Sequence, residues 1–208
     1  MRHPLSPAAG LLALVLAAGC GSKQPPSPVV LSPEEREKLN APTERVENPS
    51  YALWGPFPVG TTVTQTTTTD SPKSPGRTVT TIVYRLTERT DERVVVERQA
   101  TTEYHDGRVD KNPPAADRVP RWVPLPAGVK RGEWGKATGK VEEEEVTVLG
   151  KAYKAHKAES KGSTDAGELH QTVWMSADMP GGLVRSVSRV PKVDETTTIE
   201  VTAVTIPD

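Results

Sequence analysis

Cys20, the pair His156 and His170, and the run Glu142-Glu143-Glu144-Glu145 are the residues that first raise a question of chemistry in this chain of 208 residues. Cys20 is the only thiol. It ends an apolar run, where it is a site for covalent modification rather than a nucleophile held in a fold. The two histidines gain a geometry if residues 151–160 and 168–175 form a hairpin with its loop near 161–165. That register sets His156 opposite His170 and Tyr153 opposite Val173, so two imidazoles approach one metal ion with Glu168 nearby. A shift of two residues removes the pairing, and two ligands rarely hold a metal; the competing reading is a solvated polar face. No metal or other cofactor is assigned. The four glutamates would point alternately to opposite faces of a strand, which splits any carboxylate trap and leaves an acidic edge strand that resists edge-to-edge pairing.

Other chemical motifs fail on spacing. Gly135-Lys136-Ala137-Thr138-Gly139-Lys140 has its glycines one residue too close for a phosphate loop, and Val141 stands where Ser or Thr is required, so it reads as a surface turn. There is no Gly-x-Ser-x-Gly elbow, and Asp106-Gly107-Arg108-Val109-Asp110 lacks the ligand spacing of a calcium loop. No catalytic residue is assigned.

The N-terminus explains the lone thiol. Arg2 supplies a charged start, Leu11 to Ala18 an apolar run, and Ala17-Ala18-Gly19 small residues at a cut, which together make an export signal over residues 1–19. The run is too short to span a bilayer as a helix. Leu16-Ala17-Ala18-Gly19-Cys20 resembles the lipobox of bacterial lipoproteins, although Ala17 stands where the leucine three places before the cysteine is usual. The resemblance implies that Cys20 is acylated and becomes the mature N-terminus, anchoring the chain to a membrane of the cell envelope and facing the periplasm or exterior. Gly21, rather than Asp, fits sorting to an outer membrane where one exists.

Composition agrees with an exported domain. Removing residues 1–19 takes Arg2 from 26 basic residues, leaving 25 against 27 acidic, a net charge of −2. Basic and acidic residues interleave, so the basic stripe that nucleic acid requires is missing. With 20 prolines and a single phenylalanine, Phe57, the core must be thin.

Three parts are expected: the signal, residues 20–50 with a tether and a short helix, and a β domain over residues 51–208. Gly21 to Pro28 is polar and proline-rich, a disordered, extended tether. Ser32-Pro33-Glu34-Glu35 starts a helix running to about Leu39, and Pro42 and Pro49 oppose its continuation. From Tyr51, runs of Thr and Val broken by Gly, Pro and Asp predict eight strands, near residues 61–69, 77–88, 92–105, 141–149, 151–160, 168–175, 183–190 and 195–206. Ile82, Tyr84 and Leu86 alternate with Thr81, Val83 and Arg85, and Ile199, Val201 and Ala203 are expected on one face. Residues 111–135, with five prolines between Pro113 and Pro126, are expected to be a long crossover loop. The fold is all-β: a single antiparallel curved sheet or partly open barrel.

The strand run, with Trp174 and the Pro180-Gly181-Gly182 turn, is similar to the curved-sheet envelope lipoproteins related to the LolA and LolB carriers, over residues 61–206. That resemblance implies a concave face for an apolar ligand. The residues themselves favour a non-enzymatic lipoprotein that contacts an envelope protein or the cell wall; a carrier of lipid or lipoprotein comes second and a hydrolase third. The binding element is expected in the crossover. There Trp122, flanked by Arg121 and Pro120, is either an aromatic anchor or a plug for the open end of the sheet. Trp54 and Trp174 are expected in the core.

Overall fold

The computed structural model describes residues 44–72, 77–135 and 140–208. The export signal, Cys20, the tether and the helix expected over residues 33–39 lie outside them. β-Branched side chains favour extended backbone, and all eight expected strands form. They are β2 (Thr62–Asp70), β3 (Thr78–Arg89), β4 (Arg93–Glu103), β8 (Val141–Val148), β9 (Lys151–Thr164), β10 (Gly167–Met175), β11 (Leu183–Val190) and β12 (Glu195–Thr205). Four short strands add to them: β1 (Arg45–Glu47), β5 (Val109–Lys111), β6 (Ala115–Pro120) and β7 (Trp122–Pro124). Ten strands make one antiparallel sheet in the order β5-β4-β3-β2-β12-β11-β10-β9-β8, with β6 also paired to β4. The sheet is open, and β1 and β7 form a separate two-stranded sheet.

The crossover is therefore not the structureless loop expected of residues 111–135. Its prolines confine it to short strands at the margin, where a missing N–H costs no ladder bond: β6 lies along β4, with Val119 opposite Val94. Pro49, expected only to oppose continuation of the helix over residues 33–39, begins a separate short helix that was not expected from the sequence. In α1 (Pro49–Trp54), proline occupies the first turn, where its N–H would be unpartnered anyway, and Asn48 Oδ1 accepts a bond from Ser50 N at 3.0 Å. The face expected for Ile199, Val201 and Ala203 also changes. A bulge pairs Ala203 with Thr64 and Val204 with Val63, so Val204 takes the inward place.

The core lies at one end of the sheet. Val63, Leu86, Val94, Val96, Val184 and Val201 are buried near the strand ends that meet α1 and the 176–182 turn. Gly181 and Gly182 both have positive φ, and a Cβ on Gly181 would come 2.9 Å from Trp54 Cζ2. Only glycine lets this turn close over the indole.

Reading the register across strands separates two faces. On one, Val173, Ser186, Ile199, Thr67, Thr80 and Thr102 form a row through six strands. A second row beside it runs through Gln171, Ser188, Thr197, Thr69 and Thr78. The first row continues from Thr102 to Asp110 on β5. On the opposite face the corresponding row reads Lys157, Trp174, Arg185, Glu200, Thr66 and Thr81.

Candidate functional site

The expected anchor residues sit on the small β1–β7 sheet. Arg45, Val46 and Glu47 pair with Pro124, Val123 and Trp122, and Val46 is buried beneath them. Three further backbone bonds fix the segment: Asn48 N to Arg121 O at 2.7 Å, Arg121 N to Glu92 O at 2.7 Å, and Leu125 N to Glu44 O at 2.7 Å. Arg121 and Trp122 thus project from ordered backbone despite the prolines around them.

Arg121 is the hub. Its Nε donates to Glu47 Oε1 at 2.9 Å, and its guanidinium lies 5.4 Å from the Tyr51 ring centre and 5.2 Å from that of Trp122. These are cation–π distances. Tyr51 is held from behind by a bond from its hydroxyl to Thr90 O at 2.8 Å. Trp134 joins from the far end of the crossover, its Nε1 donating to Glu47 O at 2.8 Å. Trp122 itself is 44% exposed, so it does not plug the sheet as a buried ring would. The site is a pre-ordered aromatic and cationic patch. It can bind a partner by burying an indole beside a guanidinium. The sequence singled out Arg121 and Trp122, and Trp134 as a second tryptophan of the crossover, but gave no sign of Glu47 or Tyr51. Glu47 lies 74 residues from Arg121, and no local signal joins them.

His156 and His170 are not brought together. The β9–β10 hairpin turns between Thr164 and Gly167, which sets His170 opposite Lys161 and His156 opposite Met175. Tyr153 faces Val146, and Val173 faces Ala158. The expected register placed the loop too early because the polar run Ser160 to Thr164 looks like a turn but extends the strand. His170 Nε2 lies 3.1 Å from Glu168 Oε1. Lys161 holds the Glu168 carboxyl below its ordinary range.

Trp174, expected in the core, is partly buried and packs against the core cluster. Its Nε1 donates to Glu144 Oε2 at 3.0 Å, while Arg185 and Lys157 lie 5.6 and 6.0 Å from its ring. Trp54 is in the core, 8% exposed. Near the core end, Arg98 pairs with Asp117 at 3.2 Å beside Tyr84. Burial raises the Tyr84 hydroxyl above its ordinary pKa, Arg98 opposes that, and Asp117 adds to it. An open depression of about 330 Å³ lies on the charged face against Thr62, Val83, Arg85, Glu97 and Gln99.

No family model matches the chain, and no curated protein matches it. Among solved structures it is similar to a protein described as exported, with a YmcC-like fold, from Bacteroides fragilis: 12% identity, TM-score 0.43, covering 73% of this chain and 98% of that one. A protein from Parabacteroides distasonis, described as a lipoprotein, gives 10% identity and a TM-score of 0.42 over 72% of this chain and 97% of its own. A Vibrio parahaemolyticus domain described as outer membrane lipoprotein-sorting gives 4% identity and a TM-score of 0.21 over 71% of this chain and 85% of its own. At these values the likenesses say nothing about the site.

Proposed function

We propose that this protein is a membrane-anchored lipoprotein of the bacterial envelope, tethered through acylated Cys20. Its role is non-enzymatic: it contacts an envelope protein or the cell wall through the Trp122–Arg121 patch. The observation that supports this best is an indole left 44% exposed on backbone fixed at both flanks. Interface hot spots are enriched in Trp and Arg, and a pre-ordered ring loses little entropy on binding. The lipobox-like sequence supports the anchor and the address, with the outer membrane as destination where the organism has one. A carrier of lipid or lipoprotein is the weaker reading, because hydroxyls line the open half of the face that carries Thr67, Thr80 and Thr102, and an apolar cargo would desolvate them.

A photo-crosslinking residue at position 122, in cells, tests the patch against the same residue at Leu149, which is exposed elsewhere. A discrete adduct from 122 alone supports the reading; equal labelling from both sites removes it. The anchor is tested by Cys20→Ser. The variant should leave the membrane fraction after a high-salt wash, since multiple acyl chains supply the binding. Retention in the membrane would overturn the lipoprotein assignment.

A further inference from the structure

We infer that β8, the outer strand of the large sheet, takes up a further strand from a partner protein: an extended segment that alternates basic and apolar residues. Among the described residues β8 pairs with β9 alone. It is about 27 Å long at the usual rise, and alternate residues turn their backbone N–H and C=O groups away from β9. Every position in it is exposed except Val146 and Val148, which are half-buried. Folded proteins commonly shut such an edge with proline, a bulge or a very short strand. The other margin of this sheet is shut in that way: β4 is flanked by the short β5 and β6, with Pro113 and Pro114 between them and Pro120 at the end. β8 is not. It holds no proline, and its register with β9 runs unbroken from Val141 to Val148.

The side chains on that edge select the occupant. Glu143 and Glu145 share one face with Val141 and Thr147, while Glu142, Glu144, Val146 and Val148 share the other. On the second face the carboxylates are already engaged, Glu142 by Lys140 and Glu144 by the Trp174 indole, and Val146 and Val148 pack against the core. Glu143 and Glu145 stand opposite His156 and Lys154 but form no ion pair among the described residues. An added strand therefore meets two open carboxylates on one face and the rim of the core on the other. Lys or Arg at alternate positions, with Val, Ile or Leu between them, complements both while the backbones complete a ladder. A second copy of the chain does not fit, because overlapping two β8 strands sets Glu against Glu. The acidic run thus repels its own kind and admits a basic strand. The inference stands independently of the Trp122 patch.

The full chain carrying Cys20→Ser, titrated with a capped hexapeptide that alternates lysine and valine and followed by backbone amide NMR, tests this. Saturable shifts are expected along β8, with slower amide exchange at alternate residues between Val141 and Val148. Glu143→Lys with Glu145→Lys, both at exposed positions, should weaken that peptide by about tenfold or more and take up one that alternates glutamate and valine. If this double variant does not fold, Glu143→Gln with Glu145→Gln removes the charge alone and should weaken the lysine peptide severalfold. Methylating every backbone nitrogen of the lysine peptide keeps its charge, removes its ladder bonds and should abolish binding. In cells, an adduct formed at Leu149, beside β8, should be lost in the charge-reversed chain while one at position 122 remains. No saturable shift, equal affinity of the parent chain for the two peptides, or undiminished binding of the methylated peptide would each overturn the inference. Protection of the β8 amides by self-association without peptide would assign the edge to a second copy and overturn it as well.

Discussion

Arg121 divides one guanidinium among Glu47, Tyr51 and Trp122, which sets what each substitution there should cost. Trp122→Ala removes a half-open ring and one cation–π contact, so it should lower stability by about 1 kcal/mol or less while abolishing the crosslink-defined contact. Trp54→Ala removes a ring from the core and should cost about 3–5 kcal/mol. Urea unfolding of both variants checks the contrast; similar losses would mean that Trp122 is structural. The Tyr84 hydroxyl makes a separate prediction. Burial favours its neutral form, raising its pKa above 10.0 in the fold. Its contribution is therefore complete below the unfolded value and is lost as pH rises through the folded one. Thermal melts from about pH 8 to 11 should fall less steeply for Tyr84→Phe than for the parent chain. Individual residues were only partly legible in the sequence. Trp122 announced itself by type and neighbours, but the His156–His170 pairing depended on a register that no residue type specifies.

Strands were the legible elements, because period-two alternation with β-branched residues is read locally. Leu86 is fully buried while Val83 and Arg85 are exposed, as that alternation requires. What failed was set by partners elsewhere in the chain. The bulge that exchanges Ala203 for Val204 needs β2 beside β12, and the strands within the crossover need the free edge of β4. The 176–182 turn offers a test at this scale. Gly181→Ala puts a Cβ in left-handed backbone and against Trp54, so it should cost about 2–4 kcal/mol. Gly150→Ala has a similar φ of +76° and nothing within 4 Å, so the backbone penalty alone, about 1–2 kcal/mol, should apply. Denaturant midpoints that fall equally would show that the indole moves aside.

At the scale of the molecule, one sheet carries two regimes. Its apolar burial gathers around α1 and the 176–182 turn, while the opposite strand ends are mostly threonine, serine and charge. Amide exchange should follow that gradient: slow at Val63, Leu86 and Val94, which are buried, and fast at Ser160 and Thr164, which are exposed on paired backbone. Uniform protection along β9 and β3 would refute it. The sequence hinted at this through its single phenylalanine and abundant threonine, but which end held the core depended on where α1 packed.

The small β1–β7 sheet has a mechanical meaning. Under the proposed anchoring, tension from the membrane would reach the described residues at Glu44, and β1 is the first described element to feel it. Only three residue pairs hold β1 to β7, against nine between β2 and β12. A pull on the tether would peel β1 away before it strained the large sheet. The chain would lengthen by a few residues, the Glu47 grip on Arg121 would release, and the core would stay folded. On that proposed anchoring, the pair of short strands would act as a fuse between the membrane and the domain, and the posture of Trp122 would report load.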